Sequence, residues 1–327
     1  MEVKVKQETD ITTEVSVDSV CQPASYAAPC SNASQVLSVV IVNYNAGTQL
    51  TECVRAILPE ASEIIIVDNA STDSSIEDCL QEFIGIQQIR VICNDVNLGF
   101  SAACNIGAHT ANSTYLLFLN PDCLLAPDAI PQLLDVLDAS ADTGMVGGLL
   151  MNPDGTEQGG GRRAVPTPWR TFVRVFGLSR FERRWPRLFF DFHMHKKPLP
   201  VQPIEVEAIS GACMLVRRKL FMEIGQFDEG YFMHCEDLDW CMRVRQKNWK
   251  IIFAPDAKIT HSKGACSRRR PIFVEWHKHK GMMRFYRKFF RHQYPGVLMW
   301  LVFIGVWGRF CVLSAYHLGS RLAFWSK

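Results

Sequence analysis

Apolar residues in the first third of the chain fall into short unbroken runs separated by segments of helical spacing. Leu37 to Val42 is rich in β-branched residues and gives way to Asn43-Tyr44-Asn45, then to apolar positions three and four apart from Leu50 to Leu58. That order predicts strand, loop and helix. Ile64 to Val67 repeats it and ends in Asp68-Asn69, with Ser71 as the expected N-cap of the next helix. A third strand, Ile89 to Cys93, leads through Asn97-Leu98-Gly99-Phe100 into a helix of small residues with Ala102, Ala103, Ile106 and Ala108, and Tyr115 to Leu119 is the fourth. Strands that are apolar throughout and alternate with helices predict an α/β fold whose parallel sheet is covered on both faces. Ligands collect at the carboxyl ends of such strands, where Asn43, Asp68, Asn97 and Asp122 all fall.

The second half is less regular. Met145 to Leu150, Ile209 to Val216 and Trp249 to Phe253 read as strands, with a turn at Asn152-Pro153-Asp154-Gly155. Residues 169–192 interleave Phe172, Val173, Phe176, Leu178 and Phe181 with Arg170, Arg174, Arg180, Arg183 and Arg184. This segment reads either as an interfacial helix pair or as a loop covering a cleft. Val297 to Tyr316 carries one formal charge, Arg309, over the length of a membrane-spanning helix. A central Arg, and basic flanks on both sides (Arg284 to Arg291, Arg321 to Lys327), favour a monotopic or re-entrant anchor over a single crossing.

Composition adds a direction to this layout. With 327 residues, 48% of them hydrophobic, the chain can bury a large core. Its net charge of +2 conceals an asymmetry: fourteen of the 35 Lys and Arg lie from Lys258 onward, against one of the 33 acids, Glu275. A basic C-terminal third predicts an anionic partner, a lipid surface, a diphosphate or nucleic acid. No nucleic-acid recognition motif accompanies it, and the adjoining apolar run fits lipid. Twelve cysteines without a C-x-x-C pair, several in core-like segments (Cys93, Cys104, Cys213), predict reduced thiols and a cytosolic setting. The first 35 residues are polar, show no signal peptide and read as a disordered leader.

Two acidic strings carry candidate chemistry, Asn120-Pro121-Asp122 and Glu236-Asp237-Leu238-Asp239-Trp240. A carboxylate at a strand end suits a divalent cation, and a second across a cleft suits a general base, as an enzyme handling a nucleotide diphosphate needs. Each string taken alone is also ordinary turn or helix-cap chemistry. Trp240, Cys241 and Val244 recur at helical spacing, so Glu236 and Asp237 are expected in a first helical turn, where the dipole favours the ionised carboxylate.

The strings Val39 to Asn45, Ile66 to Asp73, Asn97-Leu98-Gly99-Phe100 with Asn105-Ile106-Gly107, and Asn120-Pro121-Asp122 occur in one order. So do Gly211-Ala212-Cys213-Met214, Phe227-Asp228-Glu229, Glu236 to Asp239 and His261-Ser262-Lys263-Gly264. Together they resemble family 2 glycosyltransferases with the GT-A fold, over about Leu37 to Phe290. The resemblance implies a nucleotide-sugar half (36–125), an acceptor half (126–290) containing the 169–192 insert, and a membrane-associated segment (291–327). It implies that Asp68 accepts a hydrogen bond from a uracil or thymine N3–H, pointing to a UDP or dTDP sugar, with Asn43 and Tyr44 framing the base. Asn97, Gly99 and Asn105 would approach ribose or diphosphate. Asp122 would bind Mg²⁺ or Mn²⁺, with His261 as a further ligand; Asn120 departs from the family's D-x-D motif and would reach the ribose. Asp237 would be the base of an inverting displacement, and Glu236 and Asp239 would support it or contact the acceptor. The Asn-Pro-Asp variant and the aromatic-basic insert look like rhamnosyltransferases using dTDP-L-rhamnose. The acceptor would then be a polyprenyl-diphosphate-linked glycan at the cytoplasmic face of the inner membrane, in bacterial surface polysaccharide biosynthesis. A nucleotidyltransferase would need a basic phosphate loop, and Asn43 to Gly47 has no Lys or Arg. A catalytically silent nucleotide-sugar or lipid-binding protein is the reading of another class.

Overall fold

The computed structural model describes residues 36–262 and 270–325, with side chains as far as residue 319. The expected leader, the basic Lys263 to Arg269 stretch and Lys327 lie outside the described residues, as does the side chain of Arg321. The first half follows its apolar pattern: β1 (Leu37–Asn43), α1 (Thr48–Ile57), β2 (Glu63–Asp68), α2 (Ser75–Glu82), β3 (Ile89–Cys93), α3 (Phe100–Thr110) and β4 (Tyr115–Leu119). Every residue of β1 and β2 is buried, as strands covered on both faces must be. After β4 come β5 (Cys123–Leu125), α4 (Ala129–Asp138), β6 (Thr143–Met151), β7 (Arg162–Arg163), α5 (Pro168–Val175), β8 (Ile204–Glu205), β9 (Ala208–Ile209) and β10 (Cys213–Arg217). The chain ends through α6 (Arg218–Ile224), α7 (Glu236–Gln246), β11 (Lys250–His261), α8 (Pro271–Phe290) and α9 (Gly296–Trp325).

The sheet order is β3-β2-β1-β4-β10-β6-β11-β5, with β8 added against β11. It is mixed rather than wholly parallel: β10 runs antiparallel to both β4 and β6, and β11 runs parallel to β6 and antiparallel to β5. The expected strand from Ile209 to Val216 is two strands, because the chain turns at Ser210-Gly211-Ala212 before entering β10. That reversal starts β10 beside the end of β4, where Cys213 pairs with Leu119. One edge of the sheet therefore gathers the ends of β1, β2, β4, β6 and β11 with the start of β10.

Packing fixes α7 to this sheet. Trp240 is fully buried, with its ring 5.8 Å from Phe118 of β4 and 4.7 Å from Phe227. Its indole N–H donates to the Gly225 carbonyl at 3.0 Å. An aromatic side chain of this size contributes about 3–5 kcal/mol when removal leaves a cavity, so α7 holds its place on the sheet. Eight of the described cysteines are free, seven of them buried, in line with the expected thiols; Cys93 is the exception and is disulfide-bonded.

Two expectations for the second half change. The 169–192 segment holds one short α-helix, α5, then a single 3-10 turn over Leu178–Phe181 and further turns, rather than a pair of α-helices; Trp169, Phe172, Val175, Phe176 and Trp185 are exposed on it. α9 is one unbroken helix, which removes the re-entrant form of the anchor. Residues Gly296–Gly319 are long and apolar enough to cross a membrane and are almost wholly uncovered. α9 lies along α8, with Trp307 and Phe310 against Trp276 at 5.0 and 5.6 Å.

Candidate active site

The nucleotide corner forms where β1 and β2 end side by side, Asn43 pairing with Asp68. The Asn43 amide donates to Asp68 Oδ1 at 2.8 Å and also lies within reach of Ser71 and Ser75. Ser71 does not cap α2; its hydroxyl and N–H donate to the two Asp68 oxygens at 2.6 and 2.9 Å. α2 begins later, after Ser74, because the Ser71 hydroxyl oxygen, which a cap would offer to the helix, instead accepts from the Asn43 amide and the Asn45 N–H. Asp68 Oδ2 holds one of these bonds and keeps capacity for a second donor. Tyr44 is half-buried beside this pair. Asn69 was not singled out by sequence, yet it ties the corner together: its amide donates to the Gly99 carbonyl, and its Oδ1 accepts from Asn94 and Leu98.

The expected phosphate-side residues divide. Asn97 accepts from the Gly99 N–H at 2.9 Å and shapes the turn into α3. Gly99 sits at φ 88°, and a Cβ there would lie 2.6 Å from the Phe232 carbonyl that accepts the Phe100 N–H. Only glycine lets that carbonyl cap α3. Asn105 does not face a ligand: its amide and Oδ1 bond the Phe227 backbone and the Glu229 carboxylate, locking α3 to the loop before α7.

The second corner lies at the end of β11, where His261 pairs with Cys123 of β5. His261 Nε2 stands 3.2 Å from Asp122 Oδ1, and both residues are buried. His261 Nδ1 contacts Gln158 Oε1 at 2.7 Å. The Gln158 amide nitrogen donates to the His261 carbonyl and to Asn152 Oδ1, each at 3.0 Å, which fixes the oxygen toward the ring. The ring proton therefore belongs on Nδ1, and Nε2 presents a lone pair to a carboxylate oxygen. With Nε2 unprotonated, the Asp122–His261 pair offers a divalent cation two donor atoms 3.2 Å apart, an oxygen and a nitrogen of the kind Mn²⁺ accepts. The Cys123 thiol completes the cluster but donates to the Ala212 carbonyl. Asn120 contributes its backbone here, its N–H donating to the Ala212 carbonyl at 2.9 Å. Gln158→Ala should weaken Mn²⁺ binding about 10–100-fold, the usual cost of losing the outer partner of a ligating histidine. Mn²⁺ titration followed by water-proton relaxation measures this; unchanged affinity would remove Gln158 from the site.

The third corner is the start of α7, where Glu236 and Asp237 occupy the first helical turn as expected. The chain enters through His234 and Cys235, both left-handed (φ 65° and 73°), a costly conformation for side-chain-bearing residues. It fits because Gly281 of α8 leaves room for the His234 carbonyl, which would lie 2.7 Å from any Cβ there. Asp237 Oδ2 accepts from the Gly211 N–H at 3.0 Å and pairs with Arg163 of β7. Among the described residues Oδ1 accepts only from the Leu238 N–H, so it is the oxygen with capacity to spare. Burial alone would lower the Arg163 guanidinium, but the Asp237 charge beside it holds it up. The Ser210–Ala212 turn joins the second and third corners, since Gly211 donates to Asp237 while Ala212 accepts from Asn120. Sequence reading found neither Gln158 nor Arg163, because no local pattern marks either.

Glu236 is buried, with Oε2 unpartnered among the described residues. Burial first, and Asp237 second, push its carboxyl up to about 8. The folded chain then holds a proton that the unfolded chain has already released. Stability should therefore fall as pH rises from about 5 to 8, by at most about 1.4 kcal/mol per pH unit. Glu236→Gln should flatten that slope in denaturant melts across the same range, and a slope parallel to wild type would reassign the proton. Asp239 departs from its expected acceptor contact. It is fully buried and bonds Tyr231, Arg243 and, at 2.6 Å, Lys288 of α8.

Comparison with known proteins bears on the family and the fold. Residues 38–225 match the model of glycosyl transferase family 2. The chain is 30% identical over 253 residues to an N-acetylglucosaminyl-diphospho-decaprenol L-rhamnosyltransferase of Mycobacterium tuberculosis, covering 73% of this chain and 80% of that one. It is 27% identical to the low-salt glycan biosynthesis hexosyltransferase Agl10 of Haloferax volcanii, covering 66% and 63%. Among solved structures it is similar to the mannosyltransferase PcManGT of Pyrobaculum calidifontis in complex with GDP-Man and Mn²⁺ (TM-score 0.52, 16% identity, 78% of this chain and 64% of that one). It is also similar to GalNAc-T7 with UDP, GalNAc and Mn²⁺ (TM-score 0.53, 19% identity), where it matches 71% of its own length and 44% of the other. These structures share the GT-A arrangement of a mixed sheet flanked by helices. With more than half of its length matched by the family model and its strand-end residues gathered at one edge, the chain belongs to glycosyl transferase family 2.

Proposed function

We propose that this glycosyltransferase moves L-rhamnose from a dTDP- or UDP-linked donor to a sugar hydroxyl on a polyprenyl diphosphate, at a membrane surface, with inversion. The observation that carries the chemistry is the division of labour along one sheet edge: a buried Asp122–His261 pair suited to a cation, and Asp237 held by Arg163 and Gly211 with one oxygen spare. Asp68 takes the base N3–H on Oδ2, with Asn43 and Ser71 fixing its other oxygen. Asp122 and His261 would hold Mg²⁺ or Mn²⁺, which neutralises a departing diphosphate. Asp237 Oδ1 takes the proton of the acceptor hydroxyl as that oxygen attacks the anomeric carbon. Arg163 orients the carboxylate, and the Ser210–Ala212 turn links it to the Asp122 corner. One base and one attack invert the centre. The rhamnosyl donor and lipid-linked acceptor draw support from the mycobacterial relative's name.

The same geometry bears on the anchor. α9 runs beside the basic face of α8, with Trp307 near the middle of its apolar stretch. Inserted across a bilayer from Gly296, it would carry the neighbouring α8 cations about 10–17 Å down, at 1.5 Å per residue. Each would cost about 2.5–3.5 kcal/mol there. The helix therefore lies in the interface plane. A donor screen with the full chain, a lipid-diphosphate acceptor and Mg²⁺ or Mn²⁺ tests the function: release of dTDP or UDP only when acceptor is present is the expected result. Release of GDP would overturn the reading of Asp68, and nucleotide binding without any transfer would make the chain a silent binder.

A further inference from the structure

α8 and α9 enclose a cavity of about 520 Å³ that none of the residues above uses for chemistry. One wall is cationic: Lys280, Arg284 and Arg287 stand four and then three residues apart on α8, on one helix face, with Lys288 next to them. The other wall is aromatic, Phe303 and Trp307 of α9. The charges are not balanced inside it. Asp228 accepts from Arg284 at 2.7 Å and from Lys288 at 2.9 Å, and Lys288 also reaches Asp239 at 2.6 Å. Burial would raise the Asp228 carboxyl, but the hydrogen bonds from Arg284 and Lys288 bring it down to about 2. Both acids are thus committed to those two cations. Lys280 and Arg287 are exposed and have no acidic partner among the described residues, so the pocket keeps surplus positive charge beside an uncovered apolar helix.

We propose that this cavity binds the phosphate or diphosphate headgroup of a membrane lipid, with Lys280 and Arg287 on the phosphate oxygens and the lipid chain lying along Phe303 and Trp307. Juxtaposed cations and apolar surface at a bilayer are recognised by that chemistry and by few others. A free anion would satisfy one wall only. The inference rests on the reading that α9 lies at a membrane; it does not depend on the donor sugar or on the metal.

Vesicle flotation of the full chain tests it, with phosphatidylcholine alone, with added phosphatidylglycerol, and with added undecaprenyl diphosphate. The variants are Lys280→Ser/Arg287→Ser and a control of equal charge loss, Lys219→Ser/Lys247→Ser, also at exposed positions. The nine combinations of three proteins and three vesicle compositions are compared at one salt concentration. Wild type and control should prefer the anionic vesicles over phosphatidylcholine, and the pocket variant should lose roughly tenfold to thirtyfold of that preference. A preference for undecaprenyl diphosphate over charge-matched phosphatidylglycerol assigns the site to the carrier lipid; equal preference assigns it to bulk anionic lipid. A pocket variant that keeps the preference, or a control that loses as much, overturns the proposal. If wild type floats with no vesicle, the membrane reading fails by itself, and the pocket is then decided by calorimetry with inorganic pyrophosphate in EDTA. Binding by wild type and not by the pocket variant keeps the anion site, and no binding removes it.

Discussion

Asp237→Asn is expected to lower sugar transfer by about 10²–10⁴-fold, the contribution of a positioned general base, while leaving nucleotide affinity unchanged. The amide can still accept from Gly211 N–H and Arg163, so the turn and the α7 entry keep their places. What it cannot do is take a proton from the acceptor. Rapid-quench turnover measured beside nucleotide titration separates the two effects. Turnover at the wild-type rate would take the base role away from Asp237, and a fall in nucleotide affinity of the same size would make the residue structural. Arg163→Met tells the pair apart further, because it frees the carboxylate without removing it; a shift in the pH profile of turnover, with Asp237 present, marks Arg163 as a positioning residue.

Asp122→Ala should be nearly as damaging, on the order of 10²–10³-fold, the scale seen when one electrostatic stabiliser of a developing charge is lost. Its distinguishing mark is metal response. The wild type should show a saturable rise in rate with Mn²⁺, and the variant a weak one, with Mn²⁺ binding lost in electron paramagnetic resonance. His261→Ala should weaken binding less, since the carboxylate remains. An Asp122 variant that still binds Mn²⁺ as tightly as wild type would place the cation elsewhere.

Much of this was legible in the sequence. β1 and β2 announced themselves because every residue of each is buried, and Asp68 and Asp122 fell at or just beyond strand ends in that pattern; His261 came from the family resemblance, because the apolar run of its strand stops at Phe253. The α7 start was legible from Trp240, Cys241 and Val244. Gln158 and Arg163 were not, because they reach the site from a loop and a two-residue strand, by contacts 103 and 74 positions away in the chain. Asp239 and Asn105 misled in the opposite direction: each sits in a string of functional type, yet its side chain is spent on holding α8 and the Phe227 loop. The antiparallel β10 was hidden by the apolar continuity of Ile209 to Val216, across which only Gly211 signals a reversal.

Asp239 lies two positions after Asp237 on α7 and is bonded directly to Lys288 of α8. Asp228, in the loop before α7, and Gly281 of α8 add contacts between the same two parts, so α7 is a spacer tied to α8 at several points. A spacer of fixed length works as a ruler. If, as proposed, α8 and α9 rest on a bilayer and Asp237 is the base, that base would stand at one height above it, and only an acceptor whose hydroxyl is presented at that height would be in register. The chain would then choose its acceptor by the number of sugars already on the lipid as well as by their shape.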